Sequence, residues 1–70
     1  MDYYELNRKG SEYERLGVAS LAIQAYETCM FYGRLTEGNY IRLARLYYNQ
    51  ADIYNMGRVL NRHRRIYATI

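Results

Sequence analysis

Three observations predict an all-α chain of four antiparallel helices, stacked as two helix-turn-helix hairpins. Apolar and aromatic residues recur at helical spacing, as in Leu6, Gly10, Tyr13, Leu16 and again in Ala22, Tyr26, Met30, with no sustained two-residue alternation of the kind a strand requires. Helix-ending and helix-starting residues, Gly17, Gly33, Thr36 and Asp52, fall between the periodic segments. The chain also resembles itself at an offset of 34 residues, a period that belongs to helical-hairpin solenoids whose neighbours bury a shared core.

The elements follow in order. A first helix over 3–16 is closed by Gly17, placed where a left-handed residue is needed, and Glu5 with Lys9 adds a favourable pair one turn apart. A second helix over 19–32 is closed in the same way by Gly33. Thr36 is the N-cap of a third helix over 38–50, and Asp52 is the better N-cap of a fourth over 53–68, its carboxylate able to accept orphan backbone N–H groups. Connections this short force sequential helices to pack antiparallel. The whole chain, 1–70, is therefore one domain, with a first repeat over about 3–35 and a second over about 37–68.

Seventy residues leave room for only a small core, and ten of the hydrophobic residues are tyrosines, whose hydroxyls suit the rim of a core or an open face. Cys29 is the only cysteine, which excludes an intrachain disulfide and points to a reducing compartment, the cytoplasm. The N-terminal Met1-Asp2-Tyr3-Tyr4-Glu5 lacks the basic and apolar regions of a secretion signal, and no stretch is long enough to span a bilayer. Charge is unevenly laid down: residues 1–35 carry five acids against four bases, residues 36–70 two acids against six arginines, a split of −1 and +4. Nine of the ten bases are arginine, whose planar donor fork suits carboxylates, phosphates and aromatic faces.

In the self-alignment Tyr13 returns as Tyr47, Arg8 as Arg42, Gly10 as Ala44, Gly17 as Ala51, Tyr26 as Leu60 and Leu6 as Tyr40. The run Gly10-x-x-Tyr13-x-x-x-Gly17-x-x-x-x-Ala22-x-x-x-Tyr26-x-x-Cys29 resembles the tetratricopeptide repeat motif: a small residue where helices cross, a tyrosine three on, a glycine at the turn, then small, aromatic and small residues along the second helix. Leu43-Ala44-x-x-Tyr47-x-x-Gln50-Ala51 is similar in the second copy, whose second helix departs at Met56, Leu60 and His63. The resemblance spans roughly residues 4–68. The proline that usually closes each repeat is absent, and two copies are fewer than the three or so a stable stack needs, so the module is expected to self-associate, such as in a homodimer, or to lean on its partner.

The resemblance implies a binding module, because in that family the first helix of each hairpin lines a groove that receives extended peptides or helices. On this chain the groove residues are Tyr4, Asn7, Arg8, Ser11 and Arg15 from the first hairpin and Ile41, Arg42, Arg45, Tyr48 and Asn49 from the second. Charged forks, rigid rings and amides of this kind suit recognition of another protein, such as an acidic peptide or helix. The family's clamp for a C-terminal carboxylate is not reproduced around Asn7. The bland alternative is a solvated helix face with extended arginines.

A second candidate is the basic patch Arg58, Arg62, Arg64 and Arg65 on the last helix, which with Tyr54 and Tyr67 could meet nucleic acid; cations near a helix C-terminus also simply complement its dipole. A structural subunit of a larger assembly is a third reading. No catalytic residues, cofactor or metal are expected. One histidine and one cysteine, His63 and Cys29, occupy equivalent repeat positions and supply no dyad, while Glu12, Glu14 and Glu27 are expected as surface carboxylates.

Overall fold

A computed structural model describes residues 1–68, and its fold is all-α, two helical hairpins stacked side by side. The elements are α1 (Tyr3–Arg15), α2 (Ala19–Phe31), α3 (Glu37–Asn49) and α4 (Ile53–Tyr67), each within a residue of its expected bounds. α1 packs on α2 and α3 on α4, and the hairpins join through α2 against α3.

The helix ends show why the chain stops where it does. Gly17 and Gly33 have φ of +78° and +69°, the left-handed conformation that costs glycine little. At both, the following N–H reaches back to close the helix: Val18 N–H donates to the Tyr13 carbonyl at 2.9 Å and Arg34 N–H to the Cys29 carbonyl at 2.8 Å. Ala51, the counterpart of Gly17, closes α3 in the same way with φ of 59°, Asp52 N–H donating to the Tyr47 carbonyl at 2.9 Å. An L-residue is strained there, so Ala51→Gly is expected to stabilise the protein by up to about 1 kcal/mol, read as a raised melting temperature. An unchanged or lowered value would contradict the strain.

Asp52 caps α4 as expected, its Oδ1 accepting from Asn55 N–H at 3.2 Å, and hydrogen bonds from Asn55 hold its carboxyl below the usual range. Asp2 does the same for α1, accepting from Glu5 N–H at 3.1 Å. Thr36 stands at the N-cap of α3 in extended conformation without a side-chain cap bond. Glu5 pairs with Arg8, three residues on, and not with Lys9.

The core lies between α2 and α3. Tyr26, Cys29 and Met30 from one side meet Tyr40, Leu43, Ala44 and Tyr47 from the other, with Val59 of α4 behind them. α1 contributes Tyr3, Leu6 and Tyr13 at its edge, and Gly10 where α1 crosses the Tyr26 ring. Glu27 is drawn into this region: it accepts from the Tyr47 hydroxyl at 2.6 Å and forms an ion pair with Arg58, joining α2, α3 and α4. Burial, and then that hydrogen bond, push the Tyr47 hydroxyl up to about 12.

Candidate interaction groove

Because α1 and α3 carry arginine at equivalent positions 8 and 42, stacking the hairpins sets these side chains along one open face. A shallow cleft of about 510 Å³ runs there, lined by Arg8, Ser11, Glu12, Glu14, Arg15, Arg42 and Arg45. Arg8 pairs with Glu5 and Arg15 with Glu12, both within α1 and both well exposed. Arg45 crosses between the hairpins to Glu14 at 3.4 Å. Arg42 donates to the Ser11 hydroxyl at 3.1 Å, and among the described residues no ion pair engages it. Ser11 is in turn within 3.0 Å of the Tyr26 hydroxyl, so the cleft floor is tied to the core. Exposed pairs of this kind are worth little individually, so a ligand carboxylate can compete for these arginines at small cost.

The expected groove residues thus divide. Arg8, Ser11, Arg15, Arg42 and Arg45 come together in the cleft, joined by Glu12 and Glu14, which sequence reasoning had set aside as surface carboxylates. Ile41 and Tyr48, again with Arg45, line a different depression of about 260 Å³ with Ala44, Met56 and Leu60. Tyr4 and Asn49 are exposed and line neither.

Asn7 is not on the open face at all. It is 7% exposed and its amide is fully used: Nδ2 donates to the Tyr3 carbonyl at 2.7 Å and the Arg34 carbonyl at 3.0 Å, while Oδ1 accepts from Thr36 N–H at 3.1 Å and Asn39 Nδ2 at 2.9 Å. It pins α1 to the α2–α3 connection and to the start of α3. No local signal in the sequence separates this role from a surface one.

The basic patch of α4 is also partly committed. Arg58 is held by Glu27 and by Asn55 Oδ1 at 3.0 Å, and Arg62 reaches the Met30 carbonyl at 3.4 Å. Arg64 donates to Asn61 Oδ1 at 3.0 Å within α4, and Arg65 is exposed.

Cys29 is completely buried, and burial pushes its thiol up, the opposite of a reactive thiolate. Among the described residues no three side chains are grouped to hold a metal ion, and no helix is long and apolar enough to cross a membrane.

The fold is an all-α pair of stacked helical hairpins with an arginine-lined cleft on one face. Comparison with protein families, with curated proteins and with solved structures finds no match for the chain.

Proposed function

We propose that this chain is a protein-interaction module of the tetratricopeptide type, an adaptor that receives an acidic peptide or helix in the cleft between α1 and α3. The observation that carries the reading is the convergence of Arg8, Arg15, Arg42 and Arg45 on one cleft, with Arg42 engaged there by Ser11. An arginine whose neighbour is a hydroxyl keeps its planar fork available for a carboxylate. Around it Glu12 and Glu14 orient Arg15 and Arg45, and the four arginines of the lining outnumber its two glutamates. No catalysis is part of this role, and the lone thiol of Cys29 is consistent with a cytoplasmic setting.

Nucleic acid is the less favoured partner, because Arg58 and Arg62 already hold α4 to α2. Its mark would be steep loss of binding with salt across many sequences.

The test uses a fluorescent glutamate-rich peptide in an anisotropy titration. Arg42→Glu is expected to weaken binding severalfold with little fall in melting temperature, since Arg42 is exposed and its side chain makes a single hydrogen bond, to the Ser11 hydroxyl. Equal binding by the variant, or no saturable binding by the parent protein, counts against the cleft.

A further inference from the structure

The second hairpin repeats the first, yet the surface that the first uses to receive its neighbour stands open on the second. In the first hairpin that surface includes Asn7, Ser11 and Glu14, which bond to Asn39, Arg42 and Arg45 of α3, and Tyr26 and Met30, which are 0% and 2% exposed. Thirty-four residues on, the counterparts are Ile41, Arg45, Tyr48, Leu60 and Arg64. Ile41 is 46%, Tyr48 62% and Leu60 39% exposed, and with Ala44 and Met56 they form the apolar groove of about 260 Å³. What is covered at Asn7, Tyr26 and Met30 in one hairpin is an open groove at Ile41, Leu60 and their neighbours in the other.

The differences between the two surfaces say what would cover it. Polar Asn7 has become Ile41 and acidic Glu14 has become Tyr48, so the floor is more apolar. Ser11, which accepts a hydrogen bond from Arg42, has become Arg45, and apolar Met30 has become Arg64. A helix lying on this groove as α3 lies on the first hairpin would therefore meet a cation where α3 meets a hydroxyl. Arg45 is 59% exposed and reaches Glu14 only at 3.4 Å, so it can turn toward such a helix.

We infer that the groove between α3 and α4 is a second docking site, taking an acidic amphipathic helix of a partner protein that lies where a third hairpin would begin. Apolar residues at helical spacing would fill the groove, and a carboxylate would meet Arg45. A second copy of this chain fits less well. A symmetric pairing brings together two copies of a lining that holds Arg45 and no carboxylate. A head-to-tail copy would offer α1, in which Leu43 and Leu46 of the template are replaced by Lys9 and Glu12. The groove shares Arg45 with the α1–α3 cleft and is otherwise lined by different residues, and the inference stands whether or not that cleft binds anything.

The probe is a synthetic, end-capped, fluorescent peptide of residues 37–50 carrying R42E and R45E, with the unsubstituted peptide as the charge control. The acidic peptide is expected to bind saturably and the control at least severalfold more weakly. Leu60→Asp is expected to weaken the acidic peptide by about tenfold or more, since it sets a charge on the apolar floor. Ile41→Asp, at a more exposed position, gives a second reading should Leu60→Asp perturb folding in circular dichroism. Arg64→Glu should cost severalfold, and saturable binding should persist in an Arg42→Glu background, where the α1–α3 cleft is weakened. No saturable binding, or binding that survives both Leu60→Asp and Ile41→Asp, overturns the site. So does binding lost through Arg42→Glu alone, which would assign the peptide to the other cleft. A dimer in sedimentation equilibrium that Leu60→Asp dissolves would give the groove to a second copy and also overturn the inference.

Discussion

Asn7→Leu is expected to lower the stability of the protein by about 3 kcal/mol, although leucine is close to asparagine in size and better suited to a buried helix. The loss comes from the groups left behind. Without the amide, the Arg34 carbonyl, Thr36 N–H and the Asn39 side chain lose their partner at a 7% exposed site, and each orphaned group costs about 1–3 kcal/mol when water cannot replace the bond. Total stability for a chain of this size is on the order of 4–10 kcal/mol, so the variant should melt at much lower temperature and urea concentration. Ile41→Asn provides the matched control at the equivalent repeat position, where the side chain is 46% exposed and uncovered by any described element. That change should stay within about 0.5 kcal/mol. A loss under about 1 kcal/mol for Asn7→Leu in denaturant titrations would mean that the polar node is not what fixes the hairpins together.

The contrast between Asn7 and the helix ends shows what could be read from the sequence and what could not. Gly17, Gly33 and Asp52 act through atoms within five residues of themselves, so local spacing was sufficient to place them. Asp2 is equally local, and its signature is an aspartate three residues before Glu5. Asn7 depends on residues 27 to 32 positions away, and a helical wheel assigns it only to a face. The same limit applies to Glu27, expected at the surface and found half-buried, bonded to Tyr47 and Arg58, and to Ile41 and Tyr48, whose groove is made with α4 and not with α1. Arg8 and Arg42 occupy the same place in successive repeats, and the structure brings them to one cleft. Side chains that act across hairpins needed the packing to be known.

Gly10→Ala should destabilise the protein by about 1–2 kcal/mol even though alanine is the better helix former by about 1 kcal/mol. A Cβ at position 10 would lie 2.4 Å from Cε1 and 2.6 Å from Cδ1 of Tyr26, well inside contact distance. The ring has little freedom to retreat: Tyr26 is fully buried, and its hydroxyl is held near Ser11 at 3.0 Å and donates to Glu14 at 3.2 Å. The second hairpin shows how the crossing accommodates a methyl group, since its counterparts are Ala44 and Leu60. Each change made alone is damaging, Gly10→Ala through the clash and Tyr26→Leu through lost volume and hydrogen bonds. Made together they restore a pair the same fold already uses. The double variant should therefore be more stable than the sum of the single losses predicts, by about 1–2 kcal/mol in a thermodynamic cycle measured by denaturant melts. Simple additivity would show instead that the Gly10–Tyr26 contact can relax, and that a small residue is retained at this crossing for a reason other than helix approach.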